Sequence, residues 1–159
     1  MSALTFALSF GQLADLQELK FEGKLCSESL SALCVGLRSG KLRSPRSLEL
    51  PRVPLGDDEG TSALCQALSA EKLPELRCLK LGRVNDAGLK KMVKAWGEAT
   101  PPPLEELNLW GSSVGDEGVL VLIALAGTGR VPMLWDVRVG SSVSRGMRIV
   151  LENFFPYTL

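Results

Sequence analysis

The pattern leucine–x–x–leucine–x–leucine recurs five times along this chain at a nearly constant interval. Its clearest copies are Leu16-Gln17-Glu18-Leu19-Lys20-Phe21, Leu76-Arg77-Cys78-Leu79-Lys80-Leu81 and Leu104-Glu105-Glu106-Leu107-Asn108-Leu109. Pro45-Arg46-Ser47-Leu48-Glu49-Leu50 and Leu134-Trp135-Asp136-Val137-Arg138-Val139 are degenerate copies in the same phase. With the fourth position as marker, the copies fall on Leu19, Leu48, Leu79, Leu107 and Val137, spaced by 29, 31, 28 and 30 residues. Self-similarity at this period predicts an array of stacked supersecondary units, in which no single unit can bury its apolar face alone.

Each unit reads as strand, turn, helix and return loop. Alternation such as Leu79-Lys80-Leu81 sends leucines to one side and polar residues to the other, as a half-buried strand requires. The period then becomes helical over 27–37, 60–68, 86–96, 116–126 and 144–155; Leu30, Leu33, Cys34 and Leu37 share one helix face. Acidic turns precede several of these helices: Gly56-Asp57-Asp58-Glu59-Gly60, Asn85-Asp86-Ala87-Gly88 and Gly115-Asp116-Glu117-Gly118. Such carboxylates suit helix N-termini, where they cap free amides and meet the positive end of the helix dipole. An EF-hand loop would need alternating oxygen ligands and a terminal glutamate, which these turns lack. Breakers fill the return loops 38–41, 70–74, 100–103 and 127–132, where the proline run 101–103 reads as a stiff connector.

Composition narrows the function classes. Eighteen basic and eighteen acidic side chains cancel, so no net field draws the chain to nucleic acid or an anionic membrane. No apolar stretch approaches the roughly 20 residues of a membrane span. The start, Met1 to Phe10, lacks the basic region and cleavage pattern of a secretory signal; at an offset of 60, residues 2–19 match residues 62–79, so the start reads as the back half of a unit. Cys26, Cys34, Cys65 and Cys78 show no C-x-x-C spacing and read as reduced thiols of a cytoplasmic protein. The chain has no histidine, which removes the commonest general base and the histidine metal ligands. It also lacks a phosphate-binding loop of the G-x-x-x-x-G-K-[ST] type and a G-x-S-x-G elbow. The expectation is therefore a protein that is not an enzyme and uses no cofactor or metal.

The strand motif, the acidic glycine-containing turn and the apolar helix within 28–31 residues resemble the leucine-rich repeat family, in particular its ribonuclease-inhibitor-like subclass. The resemblance runs from Ser2 to Phe155 and implies an α/β solenoid. Its horseshoe segment would carry a parallel sheet of about five strands on the concave face and helices on the convex face. All of 1–159 would form one domain: a partial unit 1–15, then repeats of about 16–44, 45–75, 76–103, 104–133 and 134–159. The family usually places asparagine or cysteine three residues after the last strand leucine; here those positions are Lys24, Val53, Val84, Ser112 and Ser142. Residues 154–159 would close the array as an aromatic cap, and incompletely protected repeat ends imply self-association.

In such a horseshoe the polar strand positions line the concave surface. One row would read Lys20, Glu49, Lys80, Asn108, Arg138; another Glu18, Ser47, Cys78, Glu106, Asp136; and beyond the strands Arg52 would stand opposite Arg83. Trp110 would point into the concavity with Arg52, Arg83, Lys80 and Arg138 around it and Glu106 and Asp136 beside them, while Trp135 would mark the margin near Glu105. Tryptophan and arginine are enriched among interface hot spots, so these residues are the candidate site for a protein partner. Three roles are in view: a non-catalytic interaction scaffold, a module that stimulates a partner GTPase through an arginine such as Arg52 or Arg83, or a fragment of a larger intracellular sensor or scaffold. Trp96, at a helix end, is expected in the core.

Overall fold

A computed structural model describes residues 15–156. Strands and helices alternate: β1 (Glu18–Lys20), α1 (Ser27–Arg38), β2 (Ser47–Leu55), α2 (Glu59–Ala67), β3 (Cys78–Val84), α3 (Asp86–Glu98), β4 (Glu106–Leu109), α4 (Asp116–Gly127), β5 (Asp136–Val139) and α5 (Arg145–Phe154). The strands form one open parallel sheet in chain order. Its register joins Leu19, Leu48, Leu79, Leu107 and Val137 as successive partners, the same five positions that carry the sequence period.

The repeat is also written in the backbone. Gln17 O accepts from Arg46 N and Ser47 N, Arg46 O from Arg77 N and Cys78 N, Arg77 O from Glu105 N and Glu106 N, and Glu105 O from Trp135 N and Asp136 N. Each unit thus offers one carbonyl to two amides of the next, which fixes the strands' amino ends in step.

Along the strands buried leucines alternate with half-exposed, mostly polar residues, so one sheet face packs on the helices and the other carries the polar side chains. Between the layers, Leu48, Leu50, Leu79, Leu81, Leu107 and Leu109 meet Leu33, Leu64, Leu89 and Leu122 in one apolar core. Burying a leucine side chain contributes about 1.5–3 kcal/mol, so the sheet–helix seam is the main source of stability. Trp96 joins it: the indole is 1% exposed and its Nε1–H donates to Leu68 O at 3.0 Å, filling the carbonyl at the end of α2. Phe155 is buried against the last unit. Of the expected aromatic cap, residues 157–159 lie outside the described residues, as do the amino-terminal half unit and the rejected signal segment through residue 14. Among the described residues no helix is long and apolar enough to cross a membrane.

Two local expectations change. β2 runs on through Pro51 and Pro54 to Leu55, with a bulge between Leu50 and Pro54. The extra residues lengthen the second unit without displacing its helix. The acidic turns also work differently from the simple capping reading. Asp58, Asn85 and Ser144 do cap their own helices, accepting from Thr61 N, Gly88 N and Met147 N. α4, however, is preceded at its cap position by Gly115, which has no side chain to cap with; its cap comes from the preceding unit, where Asp86 Oδ1 accepts from Gly115 N at 2.8 Å and Gly118 N at 3.0 Å. Asp116 in turn accepts from Ser144 N at 2.8 Å. These carboxylates tie one unit to the next.

Candidate functional site

The polar sheet face carries the two expected rows in register. Glu18, Ser47, Cys78, Glu106 and Asp136 are successive partners, as are Lys20, Glu49, Lys80, Asn108 and Arg138. Charge alternates across strands: Glu49 lies 3.8 Å from Lys80 and 4.0 Å from Lys20, and Lys20 reaches Glu22 at 3.0 Å. The hydrogen bond and charge of Glu22 raise the Lys20 pKa, and Lys20 lowers that of Glu22 in return. Water screens exposed pairs of this kind, so this end of the face is a solvated charge ladder. Glu22, Pro51 and Arg52 complete the rim of a shallow, charged cavity over it.

At the other end, Arg138 grips Asp136 through Nη2 at 2.8 Å and Nε at 3.1 Å, and lies 3.6 Å from Glu106. Those contacts, Asp136 first, push the Arg138 pKa up. Asp136, expected on the open surface, is only 3% exposed. A carboxylate so withdrawn from water needs a paired charge, and Arg138 supplies it. The register also separates Arg52 from Arg83, which the linear pattern set opposite each other. Arg52 sits in the β2 bulge, and Pro54 instead stands opposite Arg83. Trp135 aligns with Glu105, to which its amide donates at 3.1 Å, at the amino ends of the strands. Trp110 lies at the carboxyl ends, five residues further along, or about 16 Å at strand rise.

Trp110 is the most exposed large apolar side chain among the described residues, at 72%, against 43% for Trp135. It occupies the second position of a tight turn in which Leu109 O accepts from Ser112 N at 3.1 Å and Gly111 takes φ +82°. A type II turn demands this conformation at its third position. Asn108 Oδ1 accepts from Trp110 N at 3.0 Å, so the indole stands on a backbone held from both sides. Continued two residues past the last β3–β4 pair and one past the last β4–β5 pair, the register sets Gly82 and Gly140 on either side of it. A Cβ at Gly82 would overlap the Pro51 carbonyl, and one at Gly140 would press on Ser112 O. Both neighbours must therefore lack side chains, so neither of them covers Trp110. The exposed Arg83, next to Gly82, makes no ion pair among the described residues. Gly82, Trp110 and Gly140 share one repeat position in the sequence, so the linear pattern already sets a glycine on each side of the tryptophan.

The thiols divide by burial. Cys34 and Cys65, on adjoining helices, are buried, which pushes their pKa values up to about 11 and about 12. Burial, with the nearby Glu106 charge, pushes Cys78 up to about 11. Cys26 is exposed at the start of α1, and its bond with the Ser29 hydroxyl, 3.2 Å away, lowers its pKa. No cluster of three or more histidine, cysteine or acidic side chains of metal-binding geometry occurs among the described residues.

No protein-family profile matches the chain, and no curated protein matches its sequence. Solved structures do resemble it. A crystal structure of a Bacteroides fragilis protein, determined by a structural genomics consortium, aligns over 90% of this chain with a TM-score of 0.59 and 19% identity. This chain spans 40% of that protein's length. At this identity the likeness concerns fold alone.

Proposed function

We propose that the chain is a leucine-rich repeat array of the ribonuclease-inhibitor-like type and serves as a non-catalytic scaffold, binding a protein partner on the polar, concave face of its sheet. Support for the repeat reading comes from the coincidence of the leucine period with the shared-carbonyl ladder. The observation that carries the binding reading is Trp110, 72% exposed on a turn whose geometry is fixed before any partner arrives. A rigid exposed indole offers large contact area at little entropic cost, and exposed apolar area of this kind is a mark of an interaction site. Arg83, next to Gly82, adds a cation that makes no ion pair among the described residues, while Asn108 acts by holding the turn. The cluster of Arg138, Asp136 and Glu106 is internally paired and shapes the face more than it offers free charge. Reduced thiols support a cytoplasmic setting, and Ile149 and Phe154, exposed on α5, support self-association at that end.

The test is comparative capture from native extract with wild-type protein and the Trp110→Ala variant, followed by titration of each captured protein. A partner whose affinity drops at least tenfold on truncation supports the reading, in the range expected of a hot-spot tryptophan. If every protein retained by the wild type binds the variant equally well, the Trp110-centred site is wrong.

A further inference from the structure

At the opposite end of the strands, the return loops border a second, half-open cavity of about 370 Å³. The proline run 101–103, with Pro74, forms one wall, and residues 129–133 form the other. Its origin is chemical. The loop before it is stitched to its neighbour by Ala70 N donating to Thr100 O at 3.0 Å. Three successive prolines have no N–H to donate, and no backbone hydrogen bond joins residues 101–103 to residues 128–133. The two loops therefore stand apart with ring carbons facing the gap. Met133 is 50% exposed at its edge. Arg130 is the one charged residue in the lining; it makes no ion pair among the described residues, and no acid lines the cavity.

We infer that this cavity is a binding site for a small apolar carboxylic acid, its hydrocarbon or aromatic body against the prolines and Met133 and its carboxylate on Arg130. The volume lies within the range of small-ligand sites, which combine a mostly apolar lining with a few polar groups that fix orientation. A wall poor in donors rejects polar ligands, since their hydroxyls and amides would be desolvated without replacement. The single unpaired guanidinium selects an anion, which it can hold through two parallel hydrogen bonds.

The probe is 4-phenylbutyrate, titrated into the full chain carrying ¹³C-labelled methionine methyl groups. The expected result is a saturable shift of the Met133 methyl, with the buried Met92 methyl unmoved. The uncharged 4-phenylbutyramide, and the acid offered to Arg130→Gln, should each bind about tenfold more weakly. Trp110→Ala should bind the acid as the wild type does, since that residue lies at the other end of the strands. An unmoved Met133 methyl at millimolar acid overturns the proposal, as does equal affinity for acid and amide.

Discussion

Single atoms decide how closely successive units stack. At Gly88 an added Cβ would overlap the Leu55 carbonyl of the preceding unit, whereas at Gly97, in the same helix, it would meet nothing within 4 Å. The same substitution should therefore have opposite effects. Gly88→Ala is expected to destabilise the fold by about 2–3 kcal/mol, because backbone must move to admit the methyl group. Gly97→Ala should stabilise it by about 0.5–1 kcal/mol by restricting the unfolded chain. Urea unfolding of the two variants checks both signs. The acid–glycine turns were visible in the sequence, but the distinction between a glycine pressed on a carbonyl and one facing water was not: it depends on a neighbour about thirty residues away.

At the scale of the element, α4 cannot cap itself. Asp86 closes its first turn from the preceding unit, so Asp86→Ala should leave the Gly115 and Gly118 amides without an acceptor. A cost of about 2 kcal/mol is expected, larger than for Asp116→Ala, whose carboxylate accepts a single, exposed amide. Chemical denaturation gives the totals, and hydrogen exchange at the start of α4 should localise the Asp86 effect. Reading Asp116 and Glu117 as caps of their own helix was reasonable from the linear pattern. Both do lie in the first turn of α4, where the dipole favours them, but Asp116 also accepts from Ser144, whose hydroxyl and amide lower its pKa, and Glu117 pairs with Lys90 at 2.7 Å. The β2 bulge was equally hidden, since two prolines in a strand read as its end. An edge-like distortion lets the sheet keep them.

For the whole molecule, the thiols tie stability to alkaline pH. Cys34, Cys65 and Cys78 hold their protons up to about 11, about 12 and about 11 in the folded chain, against about 8.5 for an unperturbed thiol. Between those values the folded state binds more protons than the unfolded one, so stability must fall as pH rises. The contribution is complete below about pH 8.5 and is lost progressively toward pH 11–12. Stability measured across this window should decline with a slope that Cys65→Ala reduces by up to about one proton. An unchanged slope in that variant would show that its thiol does not titrate differently on folding. A thiol reagent at neutral pH should label Cys26 first, because the other three are shielded.

The period of the leucines was enough, by itself, to determine the strand order, the central register and the five helices, because hydrophobic burial repeats wherever the chain repeats and parallel neighbours must then match leucine to leucine. It also placed Trp110 at the sheet's polar face. Only the tertiary structure decided how exposed that indole is, that Asp136 withdraws under Arg138, that the β2 bulge takes Arg52 away from Arg83, and that prolines hold two loops apart. Each of these depends on what a residue in one unit finds in the next. A linear pattern records which residues repeat, whereas contact between repeats depends on backbone separation, side-chain reach and charge, and those exist only once the units have stacked.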